Sequence, residues 1–214
     1  MKILKIENKK IVISWAFYDW ANSAFATTIM AAVLPIYYSK TVASSLPANL
    51  ASSYWGYTNT IAMISIAILA PLLGAIADYK QSKLNFLKFF AFCGITATAM
   101  LYIIKEGDLL LASLLYIIGR IGFSGGNLFY DSLLPHIAKS DKLDTVSTLG
   151  YAFGYLGGGL LLALNLGMIM SPNSFGIEDI QTATRLSFLT VAVWWALFSI
   201  PILKNVKEPI LTKK

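Results

Sequence analysis

Six long runs of apolar residues restrict the folds that are open to this chain. A helix that crosses a lipid bilayer needs about 20 consecutive, mostly apolar residues. Six segments of the 214-residue sequence reach that length, at about residues 12–37, 54–77, 85–104, 109–134, 146–169 and 183–203. The sequence therefore predicts an all-α membrane protein, with six transmembrane helices in a single domain over residues 1–214 and no soluble domain.

The composition separates the chain from soluble proteins. Charged residues make up 13% of it and hydrophobic residues 57%, whereas soluble domains average about 25% and about 45–50%. Cys93 is the single cysteine, so no internal disulfide can form. The sequence also lacks a His/Cys cluster, a phosphate-binding loop and a credible Ser–His–Asp set. We therefore expect neither an enzyme nor a cofactor.

The 17 lysines and arginines are distributed unevenly among the connections. The N-terminus, the 78–84 connection with the adjacent Lys88, the 135–145 connection and the C-terminal tail hold 13 of them. The opposite connections hold Lys40, Lys105 and Arg185. The positive-inside rule then predicts that both termini are cytoplasmic. Because the basic residues flank apolar segments instead of forming one surface, nucleic acid is not an expected partner.

Two charged residues lie at membrane depth, Asp19 in the first segment and Arg120 in the fourth. On insertion scales each costs about 2.5–3.5 kcal/mol at the bilayer centre, so such groups face protein or water and usually have a partner. One interpretation is a static Asp19–Arg120 ion pair that holds two helices together. The other is a substrate or proton site.

Polar residues of the fourth segment favour the second interpretation. At helical spacing they fall within one stripe, as in the wall of an aqueous cavity; the stripe comprises Ser113, Tyr116, Arg120, Ser124, Asn127 and Asp131. Asn22 shares a helix face with Asp19. We predict a substrate site formed by Asp19, Asn22, Arg120, Ser124 and Asn127. In it, Arg120 takes a carboxylate and Asp19 takes an ammonium group or a proton.

Further motifs indicate helix packing and gating. Gly150, Gly154 and Gly158 repeat at four-residue spacing, which lets two helices approach closely. We call this row of glycines the seam. The alternative to static packing is that the two helices slide or bend at the seam. At the end of the second segment, Gly74 and Asp78 are followed by Lys83, and these residues predict a gate. Asp131 is assigned to proton coupling or gating.

Three stretches resemble known transporter signatures. The stretch GAIAD at 74–78, with Lys83, resembles the connection between helices two and three of the major facilitator superfamily. The stretch YDWANSA at 18–24 is similar to the first-helix signature of the vacuole effluxer family, the autophagy-related amino-acid exporters and their bacterial relatives. The stretch FYDSLLPHI at 129–137 is similar to that family's end of helix four.

The resemblance implies half of a major facilitator fold. That fold has two six-helix halves, each built from two inverted three-helix units, and this chain resembles the N-terminal half. The implied function is alternating-access transport of amino acids or similar small polar solutes. The implied partners are the lipid bilayer, the solute and a second six-helix half, either a separate chain or a second copy.

The sequence is also compatible with a function other than transport. The chain is alternatively a truncated, non-transporting remnant or a membrane scaffold that binds partner helices. Lysine far outnumbers arginine, which indicates a bacterial source and therefore the cytoplasmic membrane. The sequence does not identify the solute, the direction of transport or the coupling ion.

Overall fold

The computed structural model describes residues 8–80 and 82–207, with the side chains of residues 77–80 left out. The first helical segment consists of α1 (Lys9–Ala24), a π-helical stretch (Phe25–Ala32), α2 (Val33–Tyr37) and a second π-helical stretch (Tyr38–Val42). Five longer helices follow it: α3 (Ala48–Lys80), α4 (Lys83–Met100), α5 (Leu109–Ile137), α6 (Leu143–Met170) and α7 (Ile180–Asn205). No strand occurs in the described ranges, and the prediction of an all-α membrane protein is confirmed.

Each predicted apolar segment corresponds to one helical segment of the structure. Within the described residues, α3 to α7 are each long and apolar enough to cross a membrane, and the first segment is helical from Lys9 to Val42. The predicted start of the second helix at residue 54 was wrong, because α3 begins at Ala48. The carbonyl of Pro47 accepts hydrogen bonds from the amides of Leu50 and Ala51, so this Ser-rich stretch forms the first turn of the helix.

The first helical segment changes its winding before a proline. Pro35 has no amide hydrogen, and its ring clashes with the carbonyl four residues earlier in a regular α-helix. The π-helical stretch Phe25–Ala32 precedes that point, and the amide of Val33 bonds to the carbonyl of Thr28, five residues back. The wider turns accommodate the proline without interrupting the helix, and such π turns occur frequently at functional sites.

The first segment lies at the centre of the bundle. It packs along α6 and α7 and also touches α5, while α4 packs against α5 and α7. Trp15 and Tyr18 are fully buried. The indole Nε1 of Trp15 donates to the carbonyl of Tyr130 at 3.0 Å, and the two rings stack with centroids 4.1 Å apart. These aromatic side chains therefore belong to the core and are not interfacial anchors.

Helix α3 lies at the edge of the bundle. In its most apolar stretch only 6% of the residues are buried, against 33–39% in the four later helices. Its polar contacts are confined to one side: the hydroxyl of Thr58 donates to Ser113 at 2.9 Å, and Tyr116 donates to Asn59 at 2.6 Å. The rest of its apolar surface faces away from this chain, toward lipid or another membrane helix.

Both described chain ends lie at the same end of the bundle. Asn8, before α1, and Lys207, after α7, line one crevice. An even number of crossings produces this arrangement. The lysine-rich connections therefore lie at the end that carries both termini.

Glycines bring α4 and α5 into backbone contact. A Cβ atom placed on Gly122 would lie 2.5 Å from backbone atoms of Gly94 and 2.7 Å from the carbonyl oxygen of Phe90. Because backbone atoms cannot move aside as a flexible side chain does, this position requires glycine.

We predict that Gly122→Ala destabilises the bundle, whereas Gly167→Ala does not. Overpacking typically costs about 1–3 kcal/mol, and a Cβ atom on Gly167 would meet nothing within 4 Å. Thermal unfolding in mild detergent should show a lower Tm for Gly122→Ala and an unchanged or higher Tm for Gly167→Ala, since alanine favours helix. Equal Tm values would contradict the packing described here.

Candidate functional site

Asn22 of α1 and Asn127 of α5 join the two helices through their side chains. The side chain of Asn22 is fully buried, and its Nδ2 donates a hydrogen bond to Oδ1 of Asn127. A buried amide donor without a partner is costly in an apolar environment, and this hydrogen bond satisfies the Nδ2 of Asn22, while its Oδ1 has no partner among the described residues. The hydrogen bond also fixes the relative position of two residues predicted for the substrate site.

Asp19 lies one turn before Asn22 on the same helix. Its Oδ1 accepts a hydrogen bond of 3.0 Å from the hydroxyl of Ser23, and the residue is half-buried. Gly154 of α6 lies directly against this pair: a Cβ atom there would come within 2.7 Å of the Ser23 hydroxyl and 2.9 Å of the Asp19 carboxylate. Gly154 therefore leaves the space in which the carboxylate sits.

The other two glycines of the repeat also face the first segment. A Cβ atom on Gly150 would lie 2.7 Å from Trp15, and one on Gly158 would lie 2.9 Å from the carbonyl oxygen of Ser23. The hydroxyl of Thr27 donates to the carbonyl of Gly158 at 3.0 Å. This seam aligns α6 with the side of the first segment that carries Asp19.

Asp19 and Asn127 open onto a cleft between the first segment, α5 and α6. We call it the polar cleft; its volume is about 230 Å³, and it is lined by Asp19, Ser23, Ala26, Thr27, Phe123, Asn127, Tyr151, Gly154 and Tyr155. The two tyrosines are 62% and 79% exposed at its edge. The lining combines a carboxylate, two hydroxyls and an amide with aromatic rings, a set that can hydrogen-bond a small polar solute or pair with its cationic group.

Arg120 lies outside the polar cleft. Its Nη1 contacts the thioether sulfur of Met30, in the π-helical stretch. In the described part of the chain, no carboxylate forms an ion pair with Arg120. The static Asp19–Arg120 pair considered above is therefore not observed. A thioether is a weak acceptor, so the guanidinium lacks a strong partner within these residues.

Ser124 also lies apart from Asp19. It lines a narrow apolar crevice with Ile66 and Leu69 of α3 and Phe90 of α4. At 100° per residue, Ser124 is about 60° around the helix from Asn127, which is enough to turn it toward α3. The sequence placed Ser124 in the substrate site, but the structure does not bring it into the polar cleft.

The predicted gate residues occur toward the end of α3, at the start of α4 and toward the end of α5. Lys83 Nζ donates to the carbonyl of Ser132 at 3.5 Å, which links the start of α4 to α5, and Asp131 is exposed. A Cβ atom on Gly74 would meet nothing within 4 Å, so no described residue packs closely against it. The side chain of Asp78 is outside the described residues.

Sequence reasoning missed several residues of the cleft. Tyr151 and Tyr155 flank Gly154 on α6, and Phe123 and Thr27 complete the lining. The glycine repeat was the available signal, since residues next to a closely packed glycine lie at the edge of the helix contact. Among the described residues, no group of His, Cys, Asp and Glu side chains is arranged to hold a metal ion.

Comparison with known proteins identifies the family. The family described as "Vacuole effluxer Atg22 like" matches residues 46–213. A protein of Bacillus subtilis named "Uncharacterized MFS-type transporter YxiO" is 38% identical over 203 residues, covering 94% of this chain and 47% of that protein. "Autophagy-related protein 22" of Pichia angusta is 25% identical over 183 residues, covering 76% of this chain and 33% of that protein.

The chain spans less than half the length of these relatives. No solved structure matches it. The match to the family covers most of the chain and includes α3 to α7. The chain therefore belongs to the Atg22-like vacuole effluxer family of membrane transporters.

Proposed function

We propose that this chain is half of a secondary transporter that moves amino acids or similar small polar solutes by alternating access. The observation that carries the proposal is the polar cleft. A half-buried carboxylate and an amide lie at mid-membrane beside two exposed tyrosines. Polar groups at that depth normally face a cavity or another protein surface, so a second six-helix half would complete the site.

The size and position of the cleft support the proposal that this chain forms only part of a solute site. Its volume of about 230 Å³ is below the range of about 300–1,000 Å³ typical of ligand pockets. Transporters of this architecture bind substrate near the midplane, between two repeats. The relative in Bacillus subtilis is more than twice as long as the matched region, which provides length for such a second half. In this protein the second half would be a separate chain or a second copy.

The charged residues suggest how a solute would bind. In the proposed site, Asp19 and Asn127 bind an ammonium group of the solute, and Arg120 binds its carboxylate. Arg120 has only a thioether contact in the described residues, so an anionic group supplied by the solute or the second half would satisfy it. The choice of amino acids rests on the resemblance of residues 18–24 and 129–137 to the family signatures.

Alternating access requires the helices to move, and three features of the chain are suited to such movement. The seam of Gly150, Gly154 and Gly158 allows α6 to slide along the first segment, whose π-helical turns permit rearrangement. Lys83 and Asp131, together with Gly74 and Asp78, would gate the end that carries both termini. We propose that this end faces the cytoplasm of a bacterium, because it holds most of the lysines. In a proton-coupled cycle, Asp19 or Asp131 would carry the proton.

We predict that Asp19→Asn and Arg120→Ala each lower solute flux at least tenfold without preventing membrane insertion. Hydrogen bonds to charged groups contribute about 1.5–3 kcal/mol, which corresponds to a tenfold effect or more. The tagged chain, purified from its host membrane with any bound partner, would be reconstituted into liposomes and tested for counterflow of radiolabelled amino acids.

Asp144→Asn is the matched control for this experiment, because Asp144 is exposed in the first turn of α6 and should leave flux unchanged. Flux at the wild-type level in both site variants would contradict the proposed site. Absence of flux in the wild-type complex, with every amino acid tested, would instead favour a non-transporting scaffold.

We also predict that Gly154→Ala lowers flux far more than Gly159→Ala. The new methyl group on residue 154 would come within 3 Å of Asp19 and Ser23, whereas one on residue 159 would meet nothing within 4 Å. Both substitutions add one methyl group to the same helix, so helix propensity affects them equally. The same counterflow assay measures the difference, and equal flux in the two variants would argue against a solute site beside Asp19.

A further inference from the structure

A second cavity, unrelated to the polar cleft, lies at the end of the bundle that carries both termini. It is a crevice of about 750 Å³ between the start of α1 and the ends of α5 and α7. None of the residues assigned to the solute site or the gate lines it. We call it the basic crevice; its charged or titratable lining residues are Lys10, His136, Lys204 and Lys207.

Cationic groups are concentrated in the basic crevice. Lys10, Lys204 and Lys207 are all exposed, and no Asp or Glu appears among the described residues that line it. Within residues 8–80 and 82–207, none of the three ammonium groups takes part in a hydrogen bond or an ion pair. Among the described residues, no carboxylate neutralises the three ammonium groups around this cavity, and such a cluster attracts an anion.

Helix dipoles explain only some of these cations. Lys204 lies in the last turn of α7, where a positive charge is favourable. Lys10 lies in the first turn of α1, which contains no acidic residue. A cation is unfavourable at that end of a helix, whereas an anion is stabilised there. Lys10 and the N-terminus of α1 therefore both favour an anionic occupant.

Two hydrogen bonds connect the helices that form the walls of the basic crevice. Nδ2 of Asn205 donates to the hydroxyl of Ser14 at 2.9 Å, and that hydroxyl donates to the carbonyl of Lys10 at 2.7 Å. These two hydrogen bonds connect the end of α7 to the start of α1. The fold therefore sets the distance between the backbone at Lys10 and the end of α7 at Lys204.

The remaining lining is aliphatic. Ile11, Leu133 and Val206 are among the apolar residues between the charged ones, and the crevice lies where apolar spans give way to polar connections. A soluble anion needs no aliphatic surface, whereas a phospholipid brings its phosphate and the first carbons of its chains together. Basic pockets between transmembrane helices at this depth bind lipid head groups.

We propose that the basic crevice binds the phosphate of an anionic phospholipid, with Lys10, Lys204 and Lys207 as its ligands. The chemistry shared with a free phosphate is the phosphate oxyanion, and the aliphatic lining favours the lipid as its source. The site is independent of the solute pathway, so it holds whether or not the chain transports amino acids.

The test is lipid binding by the full-length protein in mild detergent, measured by native mass spectrometry with added phosphatidylglycerol or phosphatidylcholine. We expect a retained phosphatidylglycerol adduct that is at least tenfold more abundant than the phosphatidylcholine adduct. The triple variant Lys10→Gln, Lys204→Gln, Lys207→Gln should lose that preference, because each lysine near an anionic lipid changes affinity about fivefold.

The control is Lys88→Gln, Lys139→Gln, Lys142→Gln, which removes the same charge from the same end of the bundle without altering the crevice lining. It should keep the preference for phosphatidylglycerol. An equal loss in the two triple variants would overturn the site in favour of diffuse attraction. Displacement of bound lipid by millimolar inorganic phosphate would overturn the assignment to a lipid. Unchanged Tm values would show that both variants are folded.

Discussion

The hydrogen bond between Asn22 and Asn127 is the contact around which the candidate site is organised. Asn22 is fully buried, and water cannot satisfy its amide inside a bilayer, so its Nδ2 depends on the Oδ1 of Asn127. Their pairing sets the rotation of α1 relative to α5. Asp19, one turn away on α1, and Asn127 then reach the same cleft, while the glycines of α6 let a third helix close its side.

The same constraint explains why the polar cleft points outward. Glycine contacts bring α6 close to the first segment and α5 close to α4. The Asp19 carboxylate and the Asn127 amide line the polar cleft beside the exposed rings of Tyr151 and Tyr155. That side would be costly against lipid, and a second half of a transporter would cover it.

Sequence reasoning identified the helices well because their signal is physical and local. An apolar run of bilayer length has few alternatives, and each of the six predicted runs became helical. Polar residues in such runs must face protein or water, and this rule singled out Asp19 and Asn127, which line the polar cleft, and Asn22, which is buried against Asn127; their role in a solute site stays a prediction. The signal was weaker at the start of α3. Serine-rich residues from Ala48 onward form its first turns, whereas composition alone places the start at residue 54.

Other features depended on neighbours that the sequence does not specify. Ser124 fits the polar stripe of α5 within the tolerance of helical spacing, but a rotation of about 60° from Asn127 turns it toward α3. Gly74 resembles a packing glycine, yet no described residue packs closely against it. Tyr151 and Tyr155 carried no distinguishing pattern, and their position became evident only from the helix that Gly154 contacts.

The most direct test of the central claim is the mass of the complex that contains this chain when it is extracted from its own membrane in mild detergent. We predict a stable assembly of at least two six-helix units, with a protein mass well above the 23.4 kDa of one chain. We also predict that Tyr151 and Tyr155 are protected from labelling in that assembly. A monodisperse 23.4 kDa species with both tyrosines accessible would contradict the account.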